Sequence, residues 1–206
     1  MSRRLLLILA LLAAAFMVLT VLAVRQGILS PPGAQEQTVA IGGPFQLVDQ
    51  TGRRVDQGVL KGKWSAVFFG YSYCPDVCPT TMFALGGAEK LLGAQADRFQ
   101  TVFISVDPAR DTPRRLADFA TTDAFPRRLL ALTGTEAQVD GAAKAYRVYH
   151  QKGGEGPAYP VDHSSIIYLM NPKGRFACVL SYGATPDQIA AKVRAAMAQG
   201  DDATSC

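Results

Sequence analysis

Two cysteines and one histidine carry the most specific chemistry in this 206-residue sequence. Cys74 and Cys78 lie in the segment YCPDVCP, where each is followed by a proline that restricts its backbone. Two thiolates on one short, stiff loop can bind a soft ion such as Cu(I) or Zn(II), or they can form a disulfide. His163 is a candidate third ligand. Two thiolates and one imidazole make a three-coordinate set that holds Cu(I) and can accept a further ligand as Cu(II).

The cysteine loop is predicted to lie between a buried strand and a helix. The apolar run SAVFFGY, residues 65–71, is typical of a buried central strand, and Pro79 fits the first turn of the helix that follows. Cys78 is then at the helix N-terminus, where the helix dipole and free N–H groups favour its thiolate. Thioredoxin-type proteins place their redox pair at this point, although with C-x-x-C spacing in place of C-x-x-x-C.

His163 is predicted to meet the cysteine loop through the fold. It precedes the predicted strand 164–170, and in a thioredoxin-like layout the N-terminal end of that strand lies beside the loop. We interpret Asp162 as a neighbour that orients or tunes His163. Taken alone, His163 would be interpreted as a surface or hydrogen-bonded residue. His150, the other histidine, is interpreted as a cap at the C-terminus of a helix.

Alternating strands and helices predict one α/β domain. The order is β-α-β-α-β-α-β-β-α after a short hairpin, which is a thioredoxin-like layout with an added N-terminal hairpin. The predicted elements are a hairpin over 45–55, strands over 65–71, 98–107, 129–134, 164–170 and 176–182, and helices starting near Pro79, Thr112, Thr135 (over 136–149) and Thr185.

The N-terminus predicts a membrane anchor. Residues 5–24 contain no charge, and Thr20 is the only polar side chain among them. About 20 apolar residues are needed to cross a bilayer, whereas the apolar region of a cleaved signal peptide spans about 7–15. Arg3 and Arg4 precede the run and only Arg25 follows closely, so the N-terminus is predicted to be cytoplasmic and the rest exported. Because no mitochondrial presequence precedes the run, we expect a single-pass protein of a bacterial inner membrane with a periplasmic domain.

The sequence divides into four parts by composition. These are an anchor (1–25), a Gly- and Pro-rich linker (26–43), a folded domain (44–200) and a short tail (201–206). Three of the 21 Lys and Arg residues flank the apolar run, and the others nearly balance the 17 Asp and Glu residues. Nucleic-acid binding needs a clustered basic face, which the sequence does not show, so no nucleic-acid partner is expected.

Two further cysteines lie outside the loop. Cys178 falls inside a predicted strand and is interpreted as a buried, inert thiol. Cys206 is the terminal residue. In an oxidising compartment it could pair with another thiol or be mobile, and the sequence leaves both alternatives open.

Five segments, in order, resemble the Sco/SenC family of copper chaperones over about residues 42–197: GYSYCPDVCP, SVDPARDTP, LTGT, AYRVY and VDHSSIIYLMNPKGRF. The resemblance implies a thioredoxin fold with an N-terminal membrane anchor. It implies copper bound by Cys74, Cys78 and His163, and a role in building the dinuclear copper centre of cytochrome c oxidase subunit II. A copper donor protein is then a second expected partner.

The resemblance also draws attention to residues around the loop. Asp107 and Asp111 lie in the family's D-x-x-x-D segment, and we interpret them as a partner-docking or loop-supporting pair. Cys178 and Cys206 depart from the family's usual pattern and leave room for extra disulfide chemistry. Tyr73 stands where many relatives carry a polar residue or His.

Two functions from different classes fit these residues. The first is a metallochaperone that passes copper to an oxidase subunit by ligand exchange. The alternative is a thiol-disulfide reductase that uses Cys74 and Cys78 as its redox pair to keep the cysteines of that subunit reduced. His163 favours copper, because dithiol exchange does not require it. A peroxidase or redox sensor is disfavoured, since the only Trp, Trp64, belongs to the start of a strand.

Overall fold

The computed structural model describes residues 2–25 and 40–206, which belong to two separate units. The first unit contains helix α1 (Arg3–Arg25), which is long and apolar enough to cross a membrane by length and composition. Most of the predicted linker, residues 26–39, lies outside the described residues. The second unit, Ala40–Cys206, is compact and has its own hydrophobic core.

The second unit is built on a mixed seven-stranded sheet. Its strands and those of a separate ribbon are β1 (Gln46–Asp49), β2 (Arg54–Asp56), β3 (Trp64–Gly70), β4 (Phe99–Ser105), β5 (Leu129–Thr133), β6 (His150–Lys152), β7 (Val161–His163), β8 (Ile167–Met170) and β9 (Phe176–Leu180). The sheet order is β2-β1-β5-β4-β3-β8-β9, and β6 pairs with β7. Strands β3, β4 and β5 are parallel, and the other neighbours are antiparallel. This confirms the predicted thioredoxin-like fold with its added hairpin.

Four helices complete this unit: α2 (Val77–Leu92), α3 (Pro113–Ala120), α4 (Glu136–Tyr146) and α5 (Pro186–Ala198). Three of them begin where a threonine side chain accepts a hydrogen bond from the first turn, as the sequence predicted. Thr135 and Thr185 each form a complete capping box with the glutamine three residues later.

Strand β3 lies at the centre of the core. All seven of its residues are buried, because it has a neighbour on each side and packed layers on both faces. Phe68 stands opposite Phe103 of β4 in the parallel register. Helix α2, which follows β3, packs against α5. The cysteine loop therefore leaves the sheet from its most rigid strand.

The chain between α4 and β8 differs from the prediction. Helix α4 ends at Tyr146, three residues early, because Arg147 adopts a left-handed conformation with φ 56°. Glycine is the usual residue at such a position, so an arginine gave no signal in the sequence. His150 does not cap the helix. It lies on β6 opposite His163 in register, and its Nε2 is 3.2 Å from Oδ1 of Asp140.

The prediction that Cys178 is an inert thiol is also wrong. Cys178 on β9 forms a disulfide with Cys206, with their Cα atoms 5.9 Å apart. Asn171 also holds the C-terminal tail, because its side-chain amide donates to the carbonyl of Ala203 at 3.0 Å. The pairing depends on how the tail folds back, which local sequence patterns do not encode.

Candidate metal centre

The cysteine loop is a tight turn that runs into a helix. Strand β3 ends at Gly70, and the N–H of Cys74 donates to the carbonyl of Tyr71 at 3.1 Å, which closes a β-turn. Helix α2 begins at Val77, so Cys78 is its second residue and Pro79 lies in its first turn, as predicted. Cys78 is fully buried, whereas Cys74 is partly exposed.

Gly70 makes room for the buried thiol, a requirement that sequence reasoning missed. A Cβ at this position would lie 2.6 Å from Sγ of Cys78 and 2.9 Å from the ring of Phe68. A glycine at the end of a strand can mark a close approach by another group, and that was the available signal. The side chain of Cys78 packs directly on the end of the central strand, because nothing larger than hydrogen stands there.

His163 is oriented by its surroundings at the end of β7. Its ring makes edge-to-face contacts with Phe68 and Tyr71, with centroids 6.0 and 5.9 Å away. Nδ1 lies 3.1 Å from the carbonyl oxygen of Ser164, which can only accept, so Nδ1 carries the hydrogen. Nε2 is thereby free as a ligand, and it lies 3.5 Å from Sγ of Cys78.

Asp162 does not orient His163, contrary to the prediction. Asp162 is exposed, and successive side chains of a strand point to opposite faces. The carbonyl of Ser164 takes the place that we assigned to the carboxylate. A main-chain acceptor of this kind is invisible in a sequence.

The structure brings the three predicted ligands together. The ligand atoms of Cys74, Cys78 and His163 all lie within 4.8 Å of one another. Two sulfurs and one imidazole nitrogen are soft donors that fit Cu(I), and the set also suits Zn(II). Since Cys74 and His163 are only partly buried, one side of the group is open to an incoming ligand.

The two thiols differ strongly in acidity. A hydrogen bond from the Cys78 thiol, helped by the N–H groups of Cys78 and Asp76, lowers the pKa of Cys74 to about 5 against the opposing effect of burial. The N–H of Cys78 lies 3.4 Å from Sγ of Cys74. The same hydrogen bond, with burial, raises the pKa of the Cys78 thiol. The thiolate is therefore favoured on Cys74, mainly by the Cys78 thiol and then by the N–H groups at the start of α2, whereas the sequence predicted the thiolate on Cys78.

Asp107 and Asp111 are both buried, which favours loop support over partner docking. Asp111 accepts hydrogen bonds from the N–H and hydroxyl of Ser72 at 3.0 and 2.5 Å. Asp107 forms an ion pair with Arg110 and accepts from the hydroxyl of Tyr159 at 2.6 Å. Burial raises the pKa of Asp111, although the hydrogen bonds that it accepts oppose the change.

Comparisons with known proteins point to one family. The SCO1/SenC family model matches residues 33–198. SenC of Rhodobacter capsulatus is 44% identical over 162 residues, which cover 78% of this chain and 72% of SenC. SCO1 homolog 1, mitochondrial, of Arabidopsis thaliana is 39% identical over 157 residues, which cover 75% of this chain and 46% of that protein.

A solved structure extends the likeness to three dimensions. Bradyrhizobium japonicum ScoI with copper bound superposes with a TM-score of 0.69 and is 41% identical, covering 76% of this chain and 99% of that chain. The family match, residues 33–198, covers the second unit except for residues 199–206. By sequence and by fold, this chain belongs to the SCO1/SenC family.

Proposed function

We propose that this chain binds copper through Cys74, Cys78 and His163 and delivers it to the dinuclear copper site of cytochrome c oxidase subunit II. The observation that carries the proposal is the convergence of two sulfurs and one unprotonated imidazole nitrogen within 4.8 Å. The relative from Bradyrhizobium japonicum that holds copper supports it, and the family resemblance supplies the oxidase subunit as recipient.

The difference in exposure between the ligands suits transfer by ligand exchange. A thiolate of the recipient approaches from the open side and replaces Cys74 or His163, which are partly exposed. Cys78 is buried and is the last ligand to be released. Copper stays bound to at least two ligands at each stage, so no free ion is formed. A donor protein would load the site by the reverse sequence of exchanges.

We further propose that α1 anchors the protein in a bacterial inner membrane. Its length and apolar composition support a single membrane span. Two arginines at its start and one at its end support a cytoplasmic N-terminus and a periplasmic copper domain. Such a domain lies on the side of the membrane where disulfides persist, which is consistent with Cys178–Cys206.

A Cu(I) competition titration of the Ala40–Cys206 unit tests the binding step. Wild type should bind one Cu(I). Loss of a residue that only supports a metal ligand costs about 10- to 100-fold in affinity, and His163→Ala should cost more because it removes a ligand itself. His150→Ala is the matched control, because His150 faces His163 across the β6–β7 ribbon but is not part of the ligand group. Equal affinity of wild type and His163→Ala would refute the three-ligand site.

Delivery is tested separately by mixing the copper-loaded unit with the metal-free copper domain of subunit II. Copper should leave the donor and appear in the recipient, as measured by metal analysis of the two separated proteins. Loaded wild type that leaves the recipient empty, while a small copper complex fills it, would contradict delivery and retain only copper binding.

The alternative function is a thiol-disulfide reductase, which the half-exposed Cys74 beside the buried Cys78 favours. The Cys74 thiolate would attack a partner disulfide, forming a mixed disulfide and releasing one partner thiolate. Cys78 would then lose its proton and attack Cys74, releasing the second partner thiolate and leaving a Cys74–Cys78 disulfide. His163→Ala separates the two functions, because it should abolish tight copper binding and leave dithiol exchange nearly intact.

A further inference from the structure

The turn that carries Cys74 is held by hydrogen bonds to Arg115 of helix α3 and to Asp111, which precedes that helix. Ser72 and Tyr73 are its two central residues. The N–H and hydroxyl of Ser72 donate to the buried carboxylate of Asp111. Nε of Arg115 donates to the hydroxyl oxygen of Ser72 at 2.9 Å, and Nη2 lies 3.4 Å from its carbonyl oxygen. Every polar group of Ser72 is therefore engaged.

Tyr73 is held in a second way. The guanidinium carbon of Arg115 lies 4.6 Å from the centroid of its ring, and that of Arg110 lies 5.0 Å away. The ring of Tyr73 is half exposed, and both cations are close enough to be attracted to it. Arg115 thus contacts both central residues of the turn, one by hydrogen bonds and the other by stacking.

We propose that Arg115 is a positioning residue of the metal centre, which by holding Ser72 and Tyr73 keeps the Cys74 thiolate facing Cys78 and His163. The inference rests on the proposed function, since it concerns the same copper site. Cys78 is fixed by burial and His163 by its ring contacts and the Ser164 carbonyl. Cys74 is the partly exposed ligand at the end of the turn, so its position depends on what restrains that turn.

The chemistry of the clamp requires arginine. The planar fork of a guanidinium can donate from two nitrogens to Ser72 while its face lies over the Tyr73 ring. The ammonium of a lysine has the same charge but no planar fork, so it cannot make both contacts at once. Arg115→Lys therefore separates the geometric role of Arg115 from a role of its charge.

Helix α3 also supplies a matched control. Arg114 is the preceding residue and is exposed, and its guanidinium makes no hydrogen bond or ion pair with the residues that the structure describes. Arg114→Ala removes the same charge from the same helix without touching the turn. Tyr73→Ala removes the ring that Arg115 contacts, and because Tyr73 is half exposed this change should not disturb folding.

The test is a Cu(I) competition titration of the Ala40–Cys206 unit, with thermal unfolding measured in parallel. Arg115→Ala and Arg115→Lys should both bind Cu(I) about 10- to 100-fold more weakly than wild type, the usual cost of losing a residue that supports a metal ligand. Arg114→Ala should bind as wild type does. Tyr73→Ala should weaken binding, and its combination with Arg115→Ala should weaken it by less than the product of the two effects.

A spectroscopic measurement tests geometry independently of affinity. The thiolate-to-copper charge-transfer band of the Cu(II) form should shift or lose intensity in Arg115→Ala and Arg115→Lys, and stay unchanged in Arg114→Ala. Restoration of affinity and spectrum by lysine would overturn the proposal, as would unchanged affinity in Arg115→Ala. If Arg115→Ala does not fold, Tyr73→Ala decides in its place. Failure of wild type to bind copper would instead refute the proposed function.

Discussion

The second unit contains two cysteine pairs that use the same side chain for opposite purposes. Cys74 and Cys78 are free thiols at the end of the central strand, where their sulfurs face an imidazole. Cys178 and Cys206 are joined in a disulfide between an edge strand and the C-terminal tail. The first pair is four residues apart in sequence, and the second pair is 28 residues apart.

The comparison shows that surroundings, not spacing, decide what a cysteine pair does. The first pair has helix N–H groups, a histidine and an open side, which stabilise a thiolate and admit a ligand. The second pair has no ligand group within reach among the described residues, and its bond closes a long segment of chain. We therefore infer that Cys74 and Cys78 bind metal or exchange disulfides, and that the Cys178–Cys206 disulfide stabilises the fold.

The largest effect expected is the loss of copper from the first pair. Cys74→Ser should reduce Cu(I) affinity by more than about 100-fold. That is the upper end of the loss caused by removing a supporting residue, and here a metal ligand itself is removed. The unfolding temperature should change little, since Cys74 is only partly buried. Isothermal or competition titration measures the first effect and thermal unfolding the second. A Cys74→Ser variant that binds copper as tightly as wild type would show that Cys74 is not a copper ligand.

The second pair should show the reverse pattern. Replacing both Cys178 and Cys206 by serine should lower the free energy of unfolding by about 2–4 kcal/mol, because the unfolded chain gains freedom. Copper affinity should not change, and urea unfolding with copper titration tests both statements. Equal free energies of unfolding for this variant and wild type under non-reducing conditions would show that the disulfide does not stabilise the fold.

A smaller effect is expected where the first pair meets the core. Gly70→Ala would place a methyl group 2.6 Å from Sγ of Cys78. Overpacking of this kind costs about 1–3 kcal/mol of stability, and the displaced thiol should also bind copper more weakly. Gly141→Ala on α4 is the control, because a Cβ there meets nothing within 4 Å. It should stabilise the helix by about 1 kcal/mol. Similar results for the two variants would contradict the close packing at Gly70.

The smallest effect expected is a change in the reactivity of Cys74 with pH. The pKa of Cys74 is lowered to about 5, so in the reduced, metal-free protein it is thiolate above that pH and thiol below it. Its alkylation rate should be level at neutral pH and fall as the pH drops through about 5. Cys78→Ala removes the main cause of the shift, so the fall should move toward the ordinary value of 9.0. Mass spectrometry of labelled peptides follows each site. A wild-type profile centred near 9 would contradict the environment of Cys74.

Much of the fold could be predicted because its signals are local. The buried strand before the cysteine loop, the threonine caps and the prolines at helix starts are all read within a few residues. The β6–β7 ribbon could not be predicted in this way. It begins after a left-handed arginine, and its strands are only three residues long. Such a ribbon is stable because of its position in the fold, and its own sequence carries little preference.

The candidate ligands were predicted by residue type, spacing and family resemblance, whereas the groups that tune them were not. Asp162 is adjacent to His163 in sequence, yet the carbonyl of Ser164 is its partner. The thiolate was expected on Cys78, yet the hydrogen bond between the two sulfurs, together with the burial of Cys78, reverses the order of the two pKa values. Arg115 lies far from the cysteines in sequence and reaches their loop only through α3.

The sequence by itself determined the order of strands and helices outside the β6–β7 ribbon, the apolar N-terminal helix and the candidate ligands Cys74, Cys78 and His163, because each is encoded by residues close together or by a specific motif. Only the tertiary structure decided which thiol is acidic, how His163 is oriented, that Cys178 pairs with Cys206, and that Arg115 clamps the loop. These properties depend on burial and on contacts between distant segments. They arise when the chain packs, and no local pattern records them.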